Sequence, residues 1–123
     1  MKQSTFIVLL SFLILGCTSV EKEQVMGSWQ AVEITEDGEP LGVNPQEIKL
    51  TFRAPDRYSY QSTLKYREAG TFDMDNKYLY TIDTIHQASS RKAVEILLIS
   101  EDSLHLKMME NGQERVLKMV KER

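Results

Sequence analysis

The chain has few of the residues that cross-link or interrupt a fold. Its single cysteine, Cys17, rules out an internal disulfide, and the common zinc spacings, which need several Cys and His close together, are missing. Three prolines and six glycines, with no repeat or low-complexity tract, leave no room for a long linker. There is no excess of positive charge: 15 Lys and Arg against 18 Asp and Glu give a formal charge of -3, which argues against a broad nucleic-acid surface. A glycine-rich phosphate loop is also lacking. The longest apolar run, Phe6 to Leu15, would reach roughly 15 Å as a helix, about half of the roughly 30 Å hydrocarbon core, too short for a permanent span. What is present suits one small globular domain, because 41% hydrophobic and 27% charged residues provide a core and too few charges for disorder.

The N-terminus reads "MKQSTFIVLLSFLILGC". Lys2 and the chain amine supply a positive start, the apolar run follows, and Gly16 is a small residue where a peptidase would cut before Cys17. Residues 1–16 are therefore expected to be a signal peptide. "ILGC" resembles the lipobox of bacterial lipoproteins, and that resemblance implies that Cys17 becomes the new N-terminus and carries acyl chains such as palmitate. Each buried methylene contributes about 0.8 kcal/mol to membrane binding, and two or more chains give a stable anchor. Residues 17–26 are expected to form a polar tether ending in a helical turn near Gln24 to Met26. With no aspartate just after Cys17, the tether resembles the outer-membrane class of lipoproteins. The expected location is the cell envelope, lipid-anchored.

From residue 27 to 123, short alternations of apolar and polar residues separated by turn signals predict an all-β domain. Strands are expected near Trp29–Ile34, Ile48–Arg53, Arg57–Gln61, Lys65–Asp73, Lys77–Asp83, Ala93–Ser100, Leu104–Met109 and Glu114–Val120. That is about eight, at the spacing of an antiparallel up-and-down barrel or a sandwich. Asn111-Gly112 is the sharpest hairpin signal, because a tight turn needs adjacent positive φ angles. In an up-and-down order the short turns "APD", "DN" and "ED" share one end. The other end receives Thr35 to Glu47 and Thr84 to Lys92, which suits a cup better than a symmetric sandwich.

"MGSWQAVEI", with Gly27 and Trp29 as Gly-x-Trp at the first strand, resembles the start of a lipocalin. "YREAGTFDMDNKYLYTI" followed by "LLISEDSLHLKMM" resembles the small lipocalin-like domains of bacterial lipoproteins. The resemblance implies an eight-stranded calyx holding a small apolar molecule. It also implies a cation near the last strand lying against the tryptophan, with Lys121 the nearest equivalent and Arg123 the other. Such a contact contributes about 0.5–2 kcal/mol. At the barrel base, Trp29 is read chiefly as a plug, with Lys121 against it.

Apolar parity gives an expected inward set of Ile48, Leu50, Phe52, Tyr58, Tyr60, Tyr66, Phe72, Tyr80, Ile82, Leu104, Leu106, Met108, Leu117 and Met119. These are bulky, so a filled interior and a usable cavity stay equally open. Candidate ligand contacts are Tyr58, Tyr60, Tyr66, Glu68, Phe72, Tyr80, Leu106 and Met108. Glu68 either points inward, where it needs a tyrosine hydroxyl, a water or a cationic ligand group, or is turned outward by a bulge, which is slightly favoured. In "AVEILLIS", Val94, Ile96 and Leu98 are expected inside and Leu97 and Ile99 outside.

Ser100, Asp102 and His105 fall on a turn and an outward strand face, without a shared pocket, so no catalytic triad is assigned. "DMDN" begins like a calcium loop, but Lys77 and Tyr78 stand where that loop needs an oxygen ligand and glycine, so it is read as a hairpin turn. No enzyme, cofactor, metal or nucleic-acid partner is expected. Two functions remain: a membrane-anchored protein binding a small apolar or amphipathic molecule, or an envelope structural or protein-interaction module with a filled barrel.

Overall fold

The computed structural model describes residues 19–86 and 90–123, so the expected signal peptide and Cys17 lie outside the described residues. Among the described residues one antiparallel sheet contains nine strands: β1 Gly27–Glu36, β2 Glu39–Pro40, β3 Lys49–Arg53, β4 Arg57–Gln61, β5 Arg67–Asp75, β6 Tyr78–Asp83, β7 Lys92–Ile99, β8 Ser103–Glu110 and β9 Gln113–Lys121. The short helix α1, Lys22–Val25, precedes them. Apart from β2, each strand pairs with the next in the chain, and β1 also pairs with β9, from Trp29↔Lys121 to Glu36↔Arg115. The result is a closed eight-stranded barrel with β2 as a flap on β1. Closure leaves no long unpaired edge, which is how such a chain avoids edge-to-edge association.

Strand β1 is bulged. One edge pairs with β3 over Gly27–Gln30 and the other with β9 over Trp29–Glu36, and the β9 register shifts between Ala31 and Glu33. The extra residue, Val32, is exposed, while Ala31 and Ile34 on either side are buried. Without the bulge the alternation would turn Ile34 outward.

The turns follow local chemistry. Asn111-Gly112 takes φ of 53° and 78°, the positive pair that a tight hairpin requires. Asp37-Gly38 does the same at 50° and 86°, making a β1–β2 hairpin inside the segment expected as one long loop. A 3₁₀ turn at Pro45–Glu47 then leads into β3; Asn44 caps it by accepting from the Gln46 N–H at 3.0 Å, with the fixed φ of proline at its first position.

The turns after β3, β5 and β7 lie at one end, which α1 closes. Val25 and Trp29 are fully buried there. The indole N–H donates to the Val25 carbonyl at 2.8 Å, and the Lys121 ammonium donates to the Met26 carbonyl at 2.8 Å while lying 4.7 Å from the Trp29 ring centre. Phe52 and Phe72 meet edge to face, 4.8 Å between ring centres, just inside this floor. Gly70 fixes how closely β5 and β6 approach: a Cβ there would sit 1.9 Å from the Ile82 carbonyl oxygen.

Two expectations about inward parity are corrected. On β6 the buried residues are Leu79, Thr81 and Asp83, whereas Tyr80 and Ile82 lie on the outer face. Pairing decides this, because Thr81 stands opposite buried Phe72 and Tyr80 opposite exposed Asp73. The outward tyrosines are covered by cations: Arg91 lies 3.9 Å above the Tyr80 ring and Lys77 5.8 Å from that of Tyr78. On β7 a register shift between Ile96 and Leu98 pairs Leu98 with His105 and Ile99 with buried Leu104. Leu98 is therefore outside and Ile99 packs on the core, the reverse of simple alternation.

Candidate functional site

Above the Phe52–Phe72 floor the barrel interior is not filled. A cavity of about 750 Å³ opens at the end opposite α1. It lies within the roughly 300–1,000 Å³ range of small-molecule sites. Its deeper wall is apolar, made by Ile34, Leu50, Leu79, Leu106 and Leu117. Tyr58 stands low in the wall, paired with Phe52; higher up come Tyr60 and Tyr66, then Met108 and the charged side chains Glu68, Lys92, Glu110 and Arg115.

Glu68 is the centre of the polar wall. It points inward and is 7% exposed, so the bulge that would have turned it outward is absent; β4 and β5 pair without a shift from Arg57↔Thr71 to Gln61↔Arg67. One carboxylate oxygen accepts from the Tyr58 hydroxyl at 2.9 Å. The other accepts from the Tyr66 hydroxyl at 2.5 Å and the Lys92 ammonium at 2.8 Å. Burial alone would raise the Glu68 pKa, but the bonds from Lys92, Tyr66 and Tyr58 outweigh it and hold the carboxyl below its usual value. The same contacts push the tyrosines up, Tyr58 first through burial and then through Glu68, Tyr66 first through its bond to Glu68. Lys92 is raised too, because the attraction of Glu68 exceeds the effect of burial.

A second polar group borders the mouth beside β5. Buried Asp83 accepts from the backbone N–H groups of Ile85 at 2.9 Å and Ala69 at 3.4 Å, and it bonds to His86. The His86 ring stacks parallel on Tyr66, 5.6 Å between centres. Burial would raise the Asp83 pKa; the bonds from His86, Ile85 and Ala69 lower it instead. Across the mouth, Arg115 donates from Nε to Glu36 at 3.0 Å.

Of the candidate contacts, Tyr58, Tyr60, Tyr66, Glu68, Leu106 and Met108 line this cavity. Phe72 does not, because β5 runs from mouth to base and carries it into the floor, where Lys22 covers its ring at 5.4 Å. Tyr80 lies on the outer surface for the parity reason given above. Trp29 and Lys121 meet at the closed end. Sequence reasoning missed Lys92, Arg115, Glu36 and Asp83. Lys92 alone carried a signal: it shares parity with Val94 and Ile96, but β7 begins one residue earlier than expected. Elsewhere, Ser100 bonds to Asp102 at 3.2 Å within the β7–β8 turn, and His105 faces outward on β8. Among the described residues no group of three His, Cys, Asp or Glu could hold a metal ion, and no helix is long and apolar enough to cross a membrane.

A closed antiparallel barrel of eight strands, plugged at one end and hollow at the other, defines the lipocalin-like class of folds. Among solved structures, a lipocalin-like protein from Bacteroides uniformis ATCC 8492, a crystal structure at 1.79 Å resolution, matches with a TM-score of 0.57 and 15% identity, over 77% of this chain and 97% of that one. At that identity the likeness concerns the fold. No family model and no curated protein matches the sequence.

Proposed function

We propose that the protein is a membrane-anchored lipoprotein whose barrel binds a small amphipathic molecule, held to the cell envelope by acyl chains on Cys17. The observation that carries the binding reading is the cavity of about 750 Å³, apolar below and polar above. An aliphatic or aromatic body would bury itself against Leu50, Leu79, Leu106 and Leu117, while its polar end met Tyr60, Tyr66, Lys92 or Arg115. Every partner of Glu68 is internal, so the carboxylate is satisfied before a ligand arrives and the wall is preformed. The lipobox-like "ILGC" and the polar residues after it support the anchor, and the lack of an aspartate after Cys17 supports an outer-membrane destination.

The binding test is fluorescence of N-phenyl-1-naphthylamine, a neutral apolar probe, titrated with the barrel. Saturable enhancement in the micromolar range is expected, with at least a tenfold loss in Tyr60→Glu and an unchanged far-ultraviolet spectrum. No enhancement with the wild type would remove the reading, as would equal binding by the variant.

The module reading has one observation in its favour. Leu97 and Leu98, adjacent at the β7 bulge, are 46% and 45% exposed on the outer wall. A barrel that binds no probe but loses capture of an envelope protein on Leu97→Ser/Leu98→Ser would establish that alternative instead.

A further inference from the structure

We propose that the closed end of the barrel faces the membrane that anchors the protein, so that the cavity opens away from the bilayer that holds it. The inference rests on the lipid-anchor reading and adds an orientation to it.

The N-terminal approach is pinned to the fold almost as far as Cys17. The Val20 N–H donates to the Asn76 carbonyl at 2.9 Å, and the Ser19 hydroxyl donates to the Asn76 side-chain oxygen at 3.2 Å. Asn76 is the turn between β5 and β6, at the plugged end. From Val20 the chain passes directly into α1, whose Val25 is fully buried under Trp29. Of the polar stretch expected as a free tether, only Thr18 lies between Cys17 and these contacts. Consecutive Cα atoms are 3.8 Å apart, so the Cys17 Cα is within about 8 Å of that of Ser19 whatever course the chain takes.

The mouth is much farther away. Strand β5 runs from mouth to base over Arg67–Asp75. At about 3.3 Å per residue and a tilt of about 40°, it spans roughly 20–25 Å along the barrel axis. Acyl chains on Cys17 would therefore enter lipid beside the β5–β6 turn, and one intervening residue cannot carry them up the wall. Burying the side of the barrel in lipid is opposed by its ion pairs, Lys77–Glu95 at 2.9 Å, Glu95–Lys107 at 3.3 Å and Glu33–Lys118 at 3.5 Å.

Cargo would then exchange with the aqueous compartment, or with a partner reaching across it, and would not be drawn straight up from the anchoring leaflet. Leu64 gains meaning from this orientation. It sits on the mouth between β4 and β5, 96% exposed, with φ of 58° and Lys65 at 61° beside it. Two successive non-glycine residues in the left-handed region hold that leucine out into the water.

The test uses the full acylated protein in phosphatidylcholine vesicles containing a nitroxide-headgroup lipid, with one fluorophore per molecule on an introduced cysteine. Labels at Arg53→Cys and Glu101→Cys report the closed end; labels at Leu64→Cys and Gln113→Cys report the mouth. Quenching several-fold stronger at the closed end is expected. Equal quenching at the two ends, or stronger quenching at the mouth, overturns the orientation while leaving the anchor intact. A mass spectrum of the N-terminal peptide without acyl chains on Cys17 overturns the anchor and the orientation together.

Discussion

Replacing Glu68 with Gln should loosen the barrel wall without changing its shape. The carboxylate accepts three hydrogen bonds, from Tyr58, Tyr66 and Lys92. Glutamine keeps one acceptor and turns an NH₂ group towards the remaining donors. Tyr58 is 2% exposed and has little access to water, so losing its charged acceptor should cost about 1.5–3 kcal/mol. Tyr66 is 41% exposed and the Lys92 side chain 52%, so their donors can turn to solvent and add only about 0.5–1 kcal/mol together. The sum is about 2–4 kcal/mol. At about 4–8 °C per kcal/mol for a domain of this size, Tm should fall by roughly 8–32 °C. The pH profile gives a second readout. Glu68 is held below its ordinary value, so its contribution is present above about pH 4.3, the unfolded value, and is lost as pH falls through the lower folded one. Tyr58, Tyr66 and Lys92 are raised, so their contributions are complete below about pH 10 and lost as pH rises beyond it. Urea unfolding from pH 3 to 11 should show a plateau with two falling limbs, both shallower in Glu68→Gln. A variant within 0.5 kcal/mol of wild type at pH 7, with unchanged limbs, would refute the idea that this carboxylate organises the wall.

Gly70→Ala should be among the most damaging single substitutions. The added methyl meets the Ile82 carbonyl at 1.9 Å, a backbone atom that cannot turn aside, and a loss of about 3 kcal/mol or failure to fold is expected in denaturant titration. Lys121→Met keeps an unbranched apolar stem one atom shorter but removes the bond to the Met26 carbonyl and the charge over Trp29. A loss of about 1–2 kcal/mol, with a shifted tryptophan emission maximum, should follow.

The barrel was legible in the sequence because most of its strands alternate cleanly and its turns carry their own chemistry. Asn111-Gly112 marks a hairpin that the structure contains, and Asp37-Gly38 marks another in the same way, although β2 is too short to show any periodicity. The reading failed where polarity and face part company. On β6 Tyr78, Tyr80 and Ile82 are outside, the two tyrosines shielded by Lys77 and Arg91, while Asp83 is inside with Leu79 because two backbone N–H groups and His86 satisfy it. Composition along one strand cannot show partners supplied by others. The β7 bulge was hidden for a related reason: "ILLI", Ile96 to Ile99, is apolar on both faces, so sliding by one residue leaves the pattern unchanged. Parity put Glu68 inside, but the outward bulge that was slightly favoured is absent, and its partner Lys92 lies 24 residues away, a distance that only the register of β5, β6 and β7 bridges.

The pairing of the first strand with the last has a bearing on the protein's biogenesis. Trp29 must meet Lys121 before the cylinder is complete, so a nascent chain whose final strand is still sheltered in the ribosome can form hairpins but cannot shut. If the chain is exported as proposed, a translocation channel that admits only unfolded polypeptide meets it still open, and the last strand to emerge on the far side is the one that locks the molecule.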